Sequence, residues 1–423
     1  MISASSSKAN MTEINVKCSG ADQVLRPNIT RSASSSSNAN LRFSFAPNFM
    51  GLSSENLLSM TDSLNSIAPY NIKQITFCPY RENLSLVDVP IERVSELIQA
   101  LPDELCALGS AVTLKVEGMD IIGSDWEWSS LFSDIDEKIP TIEGLTVSNW
   151  GRSVVPFERF VQDLLTEHVD SMKRVELVSR ISISHRPTLE NIFDCSNLTH
   201  LILGGCPYLD GDDIEFMSLN LNRTPHLESI EIGVKGGLIH PRHSGRQLAV
   251  GLNICQNLKR FKYFALFAAE GFIFCLMDGI KNHTTLIEVE FDSPFHSCYD
   301  EPQVRRVFRE ASENYVLESC IIHADREPDP VREFNLDLNK VGRKTLIGRG
   351  VIEASAWQWA EVMGNIRTLP NPLARTSAMF YFLSLNPGLC NTPHGMVGDI
   401  QRTRKRELVN SKKKRKSTRK RRR

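Results

Sequence analysis

The stretch Asn197-Leu-Thr-His-Leu-Ile-Leu-Gly-Gly-Cys206 decides the fold. Leu198 is followed three and five positions later by Leu201 and Leu203, and Cys206 comes three residues after Leu203. Side chains two residues apart on a strand point to the same side, so Leu201 and Leu203 are predicted to face one core. Leu198 would enter that core from the preceding turn, and the small Cys206 would fit inside the following turn. One such unit cannot bury its own apolar face, so the fold depends on recurrence.

The same spacing does recur along the chain. Anchor residues, defined as those in the position of Leu198, follow one another at intervals of 31, 30, 26, 29, 31, 28 and 31 residues. Each anchor is followed at +3 and +5 by apolar residues or close substitutes, and Ile72 begins a plausible earlier repeat. The residues between units leave room for a helix; Glu270–His283, for example, has the apolar periodicity of one helical face. The anchors are Ala111, Ile142, Met172, Leu198, Leu227, Leu258, Leu286 and Leu317.

This L-x-x-L-x-L spacing, with a helix between units, is typical of leucine-rich repeats. Over roughly residues 70–325 the chain resembles the ribonuclease-inhibitor-like class of leucine-rich-repeat proteins, and the segment 279–291 is especially similar to that class. The later motifs LNKVGR (338–343) and FLSLNPGLC (382–390) look similar to the C-terminal ends of leucine-rich-repeat proteins from algal genomes. The resemblance implies a solenoid whose extended concave surface suits a macromolecular partner.

The expected fold class is therefore α/β: a leucine-rich-repeat solenoid of about eight or nine repeats, with a parallel concave sheet, outer helices and a helical C-terminal cap. Helices around 352–363 and after Asn371-Pro372 would cover the open end of the repeat core. The first 40 residues contain ten serines and few large apolar residues, which predicts disorder. The expected divisions are a disordered serine-rich tail (1–40), the repeat array (41–330), the cap (331–395) and a basic disordered tail (396–423).

Charge is distributed unevenly along the chain. Residues 402–423 hold 14 of the 49 Lys and Arg residues and one of the 50 acidic residues, so this tail carries +13 while the remainder carries −14. Runs of Lys and Arg are typical of nuclear import signals and of contacts with polyanions. The candidate import signal consists of Lys412, Lys413, Lys414, Arg415, Lys416, Arg419, Lys420, Arg421, Arg422 and Arg423.

The tail predicts an importin-type receptor as one partner and a nuclear or nucleo-cytoplasmic location, with a cytoplasmic location as the alternative. Nucleic acid is a possible partner through the tail only, because no aromatic residue is interleaved for base stacking. A solvated tail without a partner, or one that associates with the acidic body, are the other interpretations. The ten scattered cysteines and the absence of an apolar leader segment predict reduced thiols in an intracellular protein.

No membrane interaction is expected. The most apolar stretch, Tyr263–Met277, is too short for a bilayer and contains Glu270, so it predicts a buried strand and helix. Catalytic, cofactor and metal residues are not expected either, because the sequence lacks GxxxxGK[ST], GxSxG and HExxH motifs. The pair His240 and His243 and the acidic run Asp210–Asp213 are more typical of loops than of metal sites.

The leading functional hypothesis is a non-catalytic protein-interaction scaffold. A ubiquitin-ligase substrate receptor is an alternative, because Leu101-Pro-Asp-Glu-Leu105 is similar to the opening of an F-box. A regulator of a small GTPase is a third hypothesis, since activating proteins of the Ran type share this repeat class.

The candidate binding surface lies on the strand face that points away from the core. In the expected register Arg260 faces Glu288, and Lys262 lies between Glu231 and Glu290. These charges either neutralise one another across the strands or form a polar patch for a partner, with Phe264 as an apolar anchor beside it. The candidate partner-binding residues are Glu231, Arg260, Lys262, Phe264, Glu288 and Glu290.

Overall fold

The structure is a computed structural model, and it divides into two compact units. Of the described residues, those from 12 to 307 together with 321–322 belong to the repeat unit, and residues 308–320 with 329–385 belong to the C-terminal unit. The described residues are 12–18, 28–30, 38–45, 58, 60–62, 71–79, 87–101, 111–117, 119–122, 124–139, 141–148, 155–178, 185–206, 209–234, 242–265, 270–292, 302–322, 329–347 and 356–385.

The repeat unit is built on a long parallel sheet, which confirms the predicted α/β class. Within this unit the strand order is β13-β12-β11-β10-β9-β8-β6-β4-β3-β1-β2, and among these strands only the β1–β2 pairing is antiparallel. A separate two-stranded sheet pairs β5 with β7. The strands are β1 (Thr12–Cys18), β2 (Asn28–Thr30), β3 (Asn38–Phe45), β4 (Asn71–Pro79), β5 (Val87–Pro90), β6 (Val112–Glu117), β7 (Met119–Ile122), β8 (Ile142–Ser148), β9 (Arg174–Val178), β10 (His200–Cys206), β11 (Ser229–Val234), β12 (Arg260–Ala265) and β13 (Glu288–Asp292).

From β8 onward one helix follows each strand, and helices adjacent in sequence pack side by side. Within the stretch Tyr263–Met277, residues 263–265 end a strand and residues 270–277 lie in a helix, as predicted. None of the described helices is long and apolar enough to span a membrane. The helices are α1 (Ile91–Gln99), α2 (Asp125–Lys138), α3 (Val155–Glu167), α4 (His185–Asp194), α5 (Gly211–Asn220), α6 (Arg242–Ile254) and α7 (Glu270–Ile280), followed by α8 (Pro302–Glu313), which crosses between the units.

The core forms between the strands and the helices. Apolar residues recur every second position on the strands and every 3.6 positions on the helices, so each element turns one apolar side toward the core. Leu201 and Leu203 are both buried, as are the corresponding residues of the neighbouring strands. Aromatic rings join the layers: Tyr263 on β12 lies 5.0 Å from Phe272 on α7, measured between ring centroids. Gly245 on α6 permits close helix packing, because a Cβ atom there would collide with the backbone carbonyl of Phe272.

Side chains in the turns also link one repeat to the next. The Asn257 amide donates a hydrogen bond of 2.8 Å to the carbonyl of Pro225, one repeat earlier. The imidazole of His283 is buried between its own turn and the previous repeat, with Nε2 3.0 Å from the Leu252 carbonyl oxygen. Its Nδ1 accepts from the Leu286 N–H at 3.2 Å, which fixes the proton on Nε2. The His283 contacts satisfy backbone groups that would otherwise be buried without partners, and Asn257 adds an exposed link between repeats.

The N-terminal end differs from the expectation of a disordered serine-rich tail. Strands β1 and β2, and the start of β3, fall within residues 1–40. The physical reason is a short alternating pattern: Ile14 and Val16 are buried, and they align with Leu41 and Phe43 of β3. The high serine content of the whole segment concealed these few apolar positions. The parallel sheet therefore begins well before Ile72, where the first repeat was expected.

The C-terminal unit has its own apolar core. Trp359, Val362 and Ile366 of one helix pack with Ala378 and Phe382 of another. Helices were predicted around 352–363 and from Pro372 to the Asn386-Pro387 stop, and both are present. The helices of this unit are α9 (Pro330–Lys340), α10 (Arg343–Ile347), α11 (Ala356–Ile366) and α12 (Pro372–Leu385), and strand β14 (Ser319–Ile322) crosses between the units.

Asn339 joins two parts of the C-terminal unit. It is 2% exposed, and its Nδ2 lies 3.1, 2.8 and 2.7 Å from the carbonyl oxygens of Ser312, Asn314 and Leu317, which share its two N–H groups. The turn that ends α8 therefore depends on an amide carried by α9. Buried carbonyl groups that lose their donors are expensive, because water does not replace the lost bond.

We expect Asn339→Ala to weaken the C-terminal unit by about 2–3 kcal/mol, since it leaves buried acceptors without donors. Asn257→Ala is the matched control: it removes an exposed amide and one acceptor contact, for a loss of about 0.5–1.5 kcal/mol. Hydrogen exchange of peptides from residues 302–347 and 242–265 measures the local opening free energy of each region. An Asn339→Ala effect no larger than that of the control would contradict the role assigned to this amide.

Candidate functional site

The candidate site lies on the face of the repeat sheet opposite the core, called here the polar face. Its central row runs across six strands, because the register places one residue of each strand side by side. A flanking row lies two residues earlier on each strand. The central row consists of Thr146, Glu176, Ile202, Glu231, Lys262 and Glu290, and the flanking row consists of Gly144, Arg174, His200, Ser229, Arg260 and Glu288.

The predicted pairing within the central row is confirmed. Lys262 aligns with Glu231 on one side and Glu290 on the other. Its Nζ lies 3.7 Å from Glu231 Oε1 and 3.3 Å from Glu290 Oε1. The three side chains are between 20% and 34% exposed, so the pairs are only partly screened by water. Lys262 is therefore held between two carboxylates, as the sequence analysis expected.

The flanking row contains the second predicted pair. Arg260 Nε lies 3.3 Å from Glu288 Oε2, with the arginine side chain 70% exposed. An ion pair this exposed contributes only about 0.2–1 kcal/mol to stability. On the other side of the row, Arg174 Nη2 lies 3.0 Å from Glu176 Oε2. The structure thus brings together all five charged candidate residues of the sequence analysis and adds Arg174 and Glu176 to the same surface.

Burial and neighbouring charges shift the proton affinities of these groups. Burial works to lower the pKa of Lys262, but Glu231 and Glu290 outweigh it, so the net shift is upward and the ammonium stays charged. Burial raises the pKa of Glu231, and the carboxylates of Glu290 and Glu176 add to that rise against the opposing effect of Lys262. The net upward shift of the Glu231 pKa therefore reflects mainly its burial, which Lys262 only partly offsets.

His200 occupies the centre of the flanking row. Burial lowers its pKa, and Arg174 and Arg260 act in the same direction, so the imidazole is neutral at neutral pH. Its Nδ1 lies 2.9 Å from the hydroxyl of Thr199. The middle of the polar face is consequently uncharged, between the charged pairs of β9 on one side and of β12–β13 on the other.

Phe264 lies on the same face, two residues after Lys262. The register aligns it with Gly233 on one side and Asp292 on the other, and its side chain is partly exposed. The position expected for an apolar anchor is thus next to the charged patch. Ile202, which was not among the candidate partner-binding residues, is also apolar and partly exposed in the central row. The sequence could have indicated it, because Ile202 lies four residues after its anchor, as Lys262 does after Leu258.

Other motifs from the sequence have local structural explanations or lie outside the described residues. Asp210 is the N-cap of α5: its carboxylate accepts from the backbone N–H groups of Asp212 and Asp213 at 2.9 Å. His243 is exposed on α6, and no cluster of three His, Cys, Asp or Glu side chains in the described part of the chain could hold a metal. His240, the F-box-like residues 102–105, the second half of FLSLNPGLC and the candidate import signal 412–423 lie outside the described residues.

Several buried cysteines are thiols, and desolvation suppresses their ionisation. Burial raises the pKa of Cys195 to about 12, with Asp170 adding to the rise, and raises the pKa of Cys255 to about 11. Cys78 and Cys275 are also buried without a disulfide. A thiol with such a high pKa is a poor nucleophile, so Cys195 and Cys255 act as core residues.

No protein-family model matches the sequence. No curated protein matches it either. Among solved structures, the crystal structure of the leucine-rich-repeat-containing protein LegL7 from Legionella pneumophila matches with 12% identity and a TM-score of 0.34, covering 64% of this chain and 80% of that chain. At that score the match carries no argument, so the ribonuclease-inhibitor-like class and the algal similarity stay predictions.

The raised pKa of Glu231 predicts a pH-dependent effect of Glu231→Gln. Because the folded state holds this proton more tightly than the unfolded state, the carboxylate costs stability as pH rises above its ordinary pKa. The substitution should change the free energy of unfolding little at pH 4, where Glu231 is largely protonated. At pH 7 it should stabilise the folded protein. Urea unfolding at both pH values measures the difference. A Glu231→Gln effect that becomes less favourable between pH 4 and pH 7 would show that Lys262 dominates the local field.

Proposed function

We propose that the protein is a non-catalytic protein-interaction scaffold that binds its partner on the polar face. The observation that carries the proposal is the cluster formed by Arg260, Lys262, Glu288 and Glu290 with Glu231, beside the partly exposed Phe264. Fixed charges near an apolar side chain provide specificity and an anchor for a protein surface. Helices pack against the opposite side of this sheet, and the polar face carries this cluster.

The basic tail supports a further part of the proposal: that an importin-type receptor recognises it and that the protein acts in the nucleus. The support is the sequence itself, with ten Lys and Arg residues between 412 and 423. Contact with nucleic acid through the same residues is the alternative for the tail. The F-box and GTPase-regulator hypotheses gain no support from the described residues.

Reversal of one central charge tests the scaffold proposal. Lys262→Glu should lower stability by about 1–2 kcal/mol, because it removes two partly exposed ion pairs and places three carboxylates side by side. In a binding surface, however, the same change leaves an unpaired charge in the interface and costs about 2–5 kcal/mol of affinity. We expect tagged Lys262→Glu protein to lose partners that co-purify with the wild type. Lys281→Glu is a matched control, because Lys281 forms an ordinary i,i+3 pair with Asp278 on the helical side.

Unchanged co-purification with Lys262→Glu, measured by quantitative mass spectrometry, would mean that the charged patch is structural. Loss of the same partners with Lys281→Glu would show that the effect is not specific to the polar face.

The tail is tested separately in the full-length protein. Replacement of the ten Lys and Arg residues between 412 and 423 by Gln should abolish nuclear accumulation of a fluorescent fusion and leave the melting temperature nearly unchanged. Replacement of the four basic residues between 402 and 406 is a control for a general effect of charge. Continued nuclear accumulation of the first variant would remove the import proposal.

A further inference from the structure

In the central row of the polar face, charges alternate from β11 to β13. From β11 to β9 the alternation is broken by an uncharged residue. On β12, Lys262 lies between the glutamates of β11 and β13. On β10, the equivalent place between Glu176 and Glu231 is occupied by Ile202. The row therefore contains two similar pairs of carboxylates, and only one of them has a cation of this chain in the middle.

The two glutamates beside Ile202 are unequally neutralised. Glu176 accepts from Arg174 Nη2 at 3.0 Å and from the Thr146 hydroxyl at 3.4 Å. Glu231 has Lys262 at 3.7 Å, which is farther than the 3.3 Å separating Lys262 from Glu290. Glu231 is also partly buried, so water screens its carboxylate less than that of an exposed glutamate.

We propose that the surface over Ile202, between Glu176 and Glu231, binds an arginine side chain of a partner protein; we call it the Ile202 site. The methylene groups of the arginine would lie on the apolar Ile202, and its guanidinium would reach the carboxylate of Glu231. The guanidinium would place a positive charge between Glu176 and Glu231, as Lys262 does between Glu231 and Glu290. This inference rests on the proposed function, because it names the chemistry of the partner for the polar face.

The spacing of the sheet selects a side chain rather than a metal ion. Glu176 and Glu231 lie on strands two apart, which places their strand axes about 9.6 Å from each other. A calcium ion needs oxygen ligands at about 2.3–2.6 Å, and the Ile202 side chain between the two carboxylates supplies none. Arginine is favoured over lysine because its guanidinium is more weakly hydrated and donates through a planar fork.

Ile202 itself provides the direct measurement. The full-length protein, labelled with ¹³C at isoleucine δ1-methyl groups, would be titrated with acetyl-Gly-Arg-Gly-amide at millimolar concentrations. The matched probe is the citrulline peptide, which keeps the shape and lacks the charge. Ile202→Val and Ile287→Val variants assign the two resonances. Ile287 is the control because it is exposed at the start of β13, outside the central row.

We expect a saturable shift of the Ile202 resonance with the arginine peptide, at an affinity up to about fivefold above that for the citrulline peptide, the largest factor that one exposed ion pair supplies. Glu231→Gln should reduce the arginine affinity by a similar factor, and Ile202→Lys should abolish saturable binding because it places a cation in the gap. No shift at Ile202, equal shifts at Ile202 and Ile287, or equal affinity for both peptides would overturn the Ile202 site.

A full-length variant with the tail's Lys and Arg residues replaced by Gln separates a partner from the chain's own tail. An unchanged Ile202 resonance in that variant, without peptide, supports a partner segment as the occupant. A changed resonance would overturn the proposed occupant, because the tail would already fill the site. Failure of the peptide titration, with Lys262→Glu still causing loss of co-purified partners, would remove only the Ile202 site and leave the scaffold proposal intact.

Discussion

The repeat unit depends on one hydrogen bond that recurs from repeat to repeat. For the anchors from Met172 to Leu286, the next residue donates its backbone N–H to the carbonyl of its counterpart in the preceding repeat. Lys173 donates to Glu143 at 2.7 Å, and the next four bonds of the series are all 2.8 Å long. Each of these bonds lies at the start of a pair of neighbouring strands, before the regular hydrogen bonds of the sheet. They therefore set the register, which decides which residues lie side by side. The four bonds run from Thr199 to Lys173, Glu228 to Thr199, Lys259 to Glu228 and Ile287 to Lys259.

This register has a direct electrostatic consequence. Since neighbouring parallel strands lie about 4.8 Å apart, side chains at the same offset from an anchor are forced into contact across the polar face. Like charges in adjacent places would repel, and the sequence avoids this with opposite or neutral neighbours. The residues directly after the anchors follow the same rule. Lys173 pairs with Glu143 at 3.0 Å, and Lys259 pairs with Glu228 at 2.9 Å.

Much of this arrangement could be predicted from the sequence, because period and offset are local properties. The anchor spacing identified the strands, and the strands gave the partners of Lys262 and Arg260. Strands β1 and β3 were missed, since Ile14 and Val16 form too short an apolar pattern within a serine-rich segment. The raised pKa of Glu231 could not be predicted either, because it depends on burial and on three neighbouring strands at once.

The core side of the sheet and the polar face have different roles, and binding specificity belongs to the polar face. Inward positions such as Leu201 and Leu203 are constrained by packing, and each buried side chain of this kind contributes about 1.5–3 kcal/mol. The polar face is constrained far less, because its ion pairs contribute only about 0.2–1 kcal/mol each. The fold would therefore tolerate many residues in place of Ile202 or Lys262. What the central row supplies instead is a fixed sequence of charges at a spacing set by the backbone, and a rigid pattern of this kind distinguishes one partner surface from another.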